Sequence, residues 1–145
     1  HGIDGVMLSE HVVLGRDSGA SGEMANPRDY AAPGNQSPGY PWPNSLVVMS
    51  AIAQATERLR IVAGAVIAPL RHPLLLAKEL GTLDLLSGGR LVLGIGYGWN
   101  HEEMENHGID VKRRRERVRE TMLAMLDAER ELDLKRLAAD RIDLT

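Results

Sequence analysis

PLRHPLLLAKELGTLDLLSGGRLVLGIGYGWN, residues 69–100, carries the strongest fold signal in the chain. It divides into a loop, a helix, a turn, a buried strand and a glycine-lined mouth. Pro73 has no N–H to leave unpaired and suits a first helical position; Leu76, Leu80, Leu83 and Leu86 then recur at helical spacing on one face. Gly88 and Gly89 stop the helix. After Arg90 the run Leu91, Val92, Leu93, Gly94, Ile95 shows no polar alternation, which suits a parallel strand covered on both sides. Alternation along it puts Gly94, Gly96 and Gly98 on one side and Leu93, Ile95 and Tyr97 on the other. A row of missing side chains at a strand's carboxyl end makes room for another backbone or for a flat ligand; it equally suits a bulge or the relief of crowding. The spacing G-x-G-x-G departs from the dinucleotide pattern G-x-G-x-x-G, so a standard nicotinamide site is disfavoured.

Working outward, Arg60 precedes a second apolar strand, Ile61 to Ile67, with small residues Ala63, Gly64 and Ala65 in its latter half. Before it, Asn44 or Ser45 can cap a helix whose buried side is Val48, Met49, Ile52, Ala53 and Ala55. Val6, Met7 and Leu8 make a third strand, ending in Ser9-Glu10-His11. Three apolar strands separated by helical periodicity predict an α/β fold with parallel strands adjacent in sequence order. Between the first strand and the first helix, residues 15–44 form a long excursion rich in Gly, Ser, Pro, Asn and Asp. Tyr40-Pro41-Trp42-Pro43 stiffens its end with two aromatic rings, either as cover for a pocket or as a packed loop anchor.

Beyond Asn100, His101 and His107 lie six apart, on different faces of a helix, and H-E-x-x-H is absent, so no metal site is expected. Lys112 to Arg119 is strongly basic, but Glu116 and Glu120 interrupt it at ion-pair spacing, which reads as a solvated helix face. Val118, Met122, Met125 and Leu126 supply the apolar stripe. Residues 1–126 are expected to form one domain, and 127–145 a charged helical tail whose Leu132, Leu134 and Leu137 pack loosely.

With 43% hydrophobic residues among 145, the chain can build a core, and lacking phenylalanine it must do so from Leu, Val, Ile, Ala and Met. A formal charge of −3 supplies no general attraction for nucleic acid or anionic membrane, so small molecules or further copies of the chain are the expected partners, as a homo-oligomer. Absence of cysteine excludes disulfides and thiolate chemistry and fits a cytoplasmic location. No apolar run approaches the roughly 20 residues that span a bilayer. His1-Gly2-Ile3-Asp4-Gly5 leads straight into a strand, as if the chain entered in mid-fold, and a fragment of a longer protein is expected.

Taken together, Ser9-Glu10-His11, Gly64-Ala65-Val66, Leu70-Arg71-His72-Pro73, Leu83 to Arg90 and Gly94-Ile95-Gly96-Tyr97-Gly98-Trp99 resemble the bacterial luciferase-like monooxygenase superfamily. Pro41-Trp42-Pro43 and Pro69 to Pro73 are most similar to its deazaflavin-dependent (coenzyme F-420) branch. The resemblance implies a TIM-type (β/α)8 barrel, here a partial barrel with about three parallel βα units, against the eight strands and about 250 residues of a typical barrel. It implies an oxidoreductase that exchanges hydride between its cofactor and a small organic substrate. That cofactor would be coenzyme F-420 (8-hydroxy-5-deazaflavin) or, alternatively, FMN. His11 falls on a histidine that serves in several members as an acid or base near the reactive ring, and Glu10 precedes it as a carboxylate able to orient the imidazole. Gly64, Ala65 and Val66 match the place where members carry a non-prolyl cis peptide behind the central ring. Gly96, Tyr97 and Gly98 match positions beside the ring and the phosphate-bearing arm, where some members carry a larger or charged residue; Tyr97 in place of arginine removes a charge that would hold phosphate. The competing expectation is a non-catalytic partial barrel that acts through self-association.

Overall fold

The computed structural model describes residues 2–13 and 41–131. Its elements follow the order β1 (Gly5–Leu8), α1 (Ser45–Ala55), β2 (Arg60–Ile67), α2 (Pro73–Ser87), β3 (Leu91–Gly96), α3 (His101–Asn106) and α4 (Arg114–Glu131). The three strands form one parallel sheet in the order β1-β2-β3, as expected from the apolar runs. Met7 pairs with Val62 and Val62 with Val92, so each row across the sheet carries side chains to one face.

The core occupies the face where Ile61 and Ala63 meet Leu46, Met49 and Ala53 of α1 and Leu76, Leu80 and Leu83 of α2. Leu8, Leu91, Ile95 and, from α4, Met125 pack against its margin. On the other face, Met7 is 70% exposed and Val92 45%. The expectation that β3 is covered on both sides is therefore corrected: the described helices cover one. The apolar run arose from two demands, a packed face and an open one that is also apolar.

Each helix begins and ends for a local reason. The Asn44 side chain accepts from the N–H groups of Leu46 and Val47, and Pro73 opens α2. Gly88 (φ 65°) and Gly89 (φ 78°) close α2, with their N–H groups bonded to Leu85 O and Asp84 O. The buried face of α2 is Leu76, Ala77, Leu80, Leu83 and Ser87. Leu86, expected on that face, is 37% exposed, because the helical period carries the stripe to Ser87. There the hydroxyl donates to Asp84 O and accepts from Arg90 N–H. The Arg90 guanidinium then donates to Ala53 O, Thr56 Oγ1, Leu59 O and Ser87 O, all within 3.0 Å. It ties the ends of α1 and α2 to the starts of β2 and β3.

The expected ion pairs form at and just before the start of α4, Arg113–Glu116 at 2.9 Å from the turn Val111–Arg113 into the helix and Arg117–Glu120 at 3.4 Å within it. Helix α4 runs through Asp127 without a break, so the expected division after residue 126 coincides with no change of backbone. Leu132, Leu134 and Leu137 lie outside the described residues, as does the excursion through Tyr40.

Candidate functional site

Just beyond the carboxyl end of β1, His11 meets Trp99, which follows β3, and Glu103 of α3. The chain leaves β1 at Leu8 and reaches Glu10 and His11, both buried although both can carry charge. A buried ionisable group must find partners, and each of these finds a different set.

Glu10 binds the framework. Its Oε1 accepts from Ser45 Oγ–H (2.6 Å) and Arg71 Nη2–H (2.6 Å), and its Oε2 from Ile67 N–H (2.7 Å). This one carboxylate joins the end of β1 to the start of α1, the end of β2 and the turn before α2. The expectation that Glu10 orients His11 is corrected: Glu10 is directed to these three donors, and the imidazole bonds to another carboxylate.

The carboxylate that meets His11 is Glu103. His11 Nδ1 lies 2.9 Å from Glu103 Oε2, with the two residues 4% and 1% exposed. Glu103 Oε1 accepts from the N–H groups of Val12 (2.6 Å) and Val13 (3.1 Å). Its own N–H is capped by Asn100 Oδ1 at 2.8 Å. The imidazole is boxed by two edge-to-face tryptophans, Trp42 at 4.7 Å and Trp99 at 5.2 Å between centroids. Trp42, expected either to cover a pocket or to anchor the loop, thus forms a wall of the histidine pocket, and its buried Nε1–H has no hydrogen-bond partner among the described residues.

Glu103 was missed in the sequence because its partner lies 92 residues away. The available signal was Asn100-His101-Glu102-Glu103, a capping sequence that places a carboxylate at the third helical position. In the folded chain that carboxylate turns to the loop after β1. His107, the other histidine of α3, bonds through Nδ1 to Glu103 O at 2.7 Å, and His101 is exposed.

The small residues of β2 and β3 fit one another. The Gly64-Ala65 peptide is cis, at the place expected for it. Ala63 pairs with Leu93 and Val66 with Ile95, so β2 spends one more residue than β3 and bulges. A Cβ at Gly94 would run into Ala63 O, whereas one at Gly96 would make ordinary contact with Ala65 Cβ at 3.5 Å. Gly94 is therefore required by the neighbouring backbone, the second of the two uses its spacing allowed. Gly98 departs from the expected row: β3 ends at Gly96, and Gly98 turns at φ 72°, where a Cβ would overlap Met104 Cε and lie 3.0 Å from Ile67 Cγ2. Tyr97 is 44% exposed, with the guanidinium carbons of Arg114 and Arg115 at 5.6 and 5.4 Å from its ring centroid.

In this arrangement an imidazole just beyond β1 is held by a carboxylate and two indoles, and a bulge of small residues interrupts the neighbouring strand β2. Comparison with known proteins gives it a family. An uncharacterized protein of Mycobacterium tuberculosis (strain H37Rv) is 44% identical over 86 residues, 59% of this chain and 29% of that protein. The oxygenase component of the flavin-dependent trigonelline monooxygenase of Acinetobacter baylyi is 35% identical, over 57% of this chain and 24% of that protein. Among solved structures, the oxygenating constituent of 3,6-diketocamphane monooxygenase from Pseudomonas putida, in complex with FMN, superposes with a TM-score of 0.62 and 28% identity. That match covers 86% of this chain and 28% of that one. The chain thus spans under a third of the length of these relatives. The sequence profile of the luciferase-like monooxygenases matches residues 1–140, and the chain belongs to that family.

Proposed function

We propose that this chain is part of a flavin-dependent oxidoreductase, a partial (β/α) barrel of three units, acting on a small organic molecule. The observation that carries the reading is the likeness of 86% of the chain to an FMN-bound monooxygenase. The residues present suit such a group. The open sheet face offers the apolar row Met7, Val62 and Val92; beside it Gly96 presents backbone with no side chain, while the Met7 side chain lies where a Cβ on Gly64 would sit. Gly64, Ala65 and Gly96 would border the ring, whereas the Val66 side chain, expected there, is fully buried in the core and leaves only its backbone to that side; Tyr97 and Gly98 would lie at the edge of the same site. A flavin supplies redox chemistry at its ring, and a deazaflavin supplies hydride transfer alone. The protein's part is to shape the cavity and move a proton at His11. Glu10 serves by fixing the loop that carries His11.

FMN leads over coenzyme F-420 because the structural neighbour holds FMN and the trigonelline relative is named flavin-dependent. Titration of the chain with each compound, followed by absorbance and fluorescence, tests the reading. Saturable binding of FMN supports it, binding of F-420 alone replaces the cofactor, and binding of neither overturns it.

A further inference from the structure

We propose that Glu103 is the positioning residue of His11, fixing the imidazole with its proton on Nδ1 so that Nε2 is the nitrogen that exchanges protons. The inference rests on the reading of His11 as the proton-transferring group and adds which atom acts and what selects it.

A carboxylate only accepts, so the 2.9 Å contact with Oε2 requires a proton on Nδ1. The carboxylate cannot escape this by turning, because Oε1 is held by two backbone donors, Val12 N–H at 2.6 Å and Val13 N–H at 3.1 Å. Glu103 itself is placed by the helix start, where Asn100 Oδ1 accepts from its N–H. The imidazole is equally constrained, since rotating the ring by half a turn would point a carbon at the carboxylate, and Trp42 and Trp99 close on it edge to face. Burial of both partners keeps water from substituting for either. The opposite tautomer would set the Nδ1 lone pair against carboxylate lone pairs with no donor between them. Glu10, adjacent in sequence, is directed instead to Ser45, Ile67 and Arg71.

The same counting predicts the outcome of a single change. In Glu103→Gln the side chain keeps its shape, but one end becomes a two-proton donor. Val12 and Val13 still require an acceptor at the Oε1 position, so the amide oxygen goes there and the NH2 faces Nδ1. Nδ1 must then accept, and the proton moves to Nε2.

The test is the long-range proton–nitrogen NMR spectrum of the 145-residue chain labelled with 15N-histidine, recorded at alkaline pH where neutral imidazole dominates. The wild type should show His11 with a pyrrole-type Nδ1 and a pyridine-type Nε2. Glu103→Gln should invert the pattern, and Glu102→Gln should leave it unchanged. A wild-type His11 with its proton on Nε2, or a Glu103→Gln variant that retains the Nδ1–H form, overturns the proposal. If the variant does not fold, the wild-type spectrum decides alone. FMN titration of the wild type is read separately, so a failure of the flavin reading is not mistaken for a failure of the histidine assignment.

Discussion

At residue scale, Gly94 and Gly96 look alike in sequence and differ in structure. At Gly94 an added methyl meets the backbone carbonyl of Ala63, which belongs to a strand that cannot yield without disturbing its register. At Gly96 the nearest atom is Ala65 Cβ at ordinary contact distance. Gly94→Ala should therefore cost about 1–3 kcal/mol of stability, while Gly96→Ala stays within roughly 0.5 kcal/mol. Denaturant unfolding of the two variants checks this, and equal costs would contradict the bulge geometry. The glycine row itself was visible in sequence, but which glycine answers to a neighbour was not, since that depends on one additional residue in another strand. The histidine pocket divides similarly. His11 stood out by its place after a strand, whereas Glu103 emerged only when folding brought α3 against the loop after β1.

Among the elements, α2 was the most readable, because its start, stop and apolar stripe are all local features. Its last turn was misread by one position, Leu86 for Ser87, because leucine spacing suggested burial and serine did not. What makes Ser87 suitable is the hydrogen bonding of the turn, to Asp84 O and from Arg90. Arg90 carries more of this corner than its sequence position announces. Arg90→Ala should lower stability by roughly 2 kcal/mol, since several charge-assisted bonds to carbonyls are lost at once; chemical denaturation measures it. The start of α4 predicts a pH effect. The hydrogen bond from Arg113, and then its charge, hold the Glu116 carboxyl below the usual carboxylate range; the same pair raises Arg113. A depressed carboxyl contributes stability above its unfolded value, about 4.3, and loses it as pH falls through the folded value. Glu116→Gln should thus lower the melting temperature slightly at pH 7 and not at all in strong acid, with the difference shrinking in high salt because the pair is exposed.

At the scale of the molecule, the dominant fact among the described residues is a sheet with one packed face and one open face. Its parallel strands and their order were readable from three apolar runs, because few topologies accommodate them. The one-sidedness was not, since a run such as Leu91 to Ile95 is apolar whether its second face meets helices, a ligand or another part of a barrel. Burial now locates the stability. Leu83 is 2% exposed beneath the helices, and Val92 is 45% exposed on the open side. Leu83→Ala should cost about 2–5 kcal/mol, from lost transfer energy plus a cavity the surroundings only partly fill. Val92→Ala removes far less buried surface and should cost under about 1 kcal/mol. Thermal and denaturant unfolding of the two variants, at several protein concentrations, gives the comparison. If Val92→Ala proves as costly as Leu83→Ala, the open face is covered in solution. A cost that grows with concentration, together with a dimer in sedimentation equilibrium, would then identify the cover as a second copy of the chain.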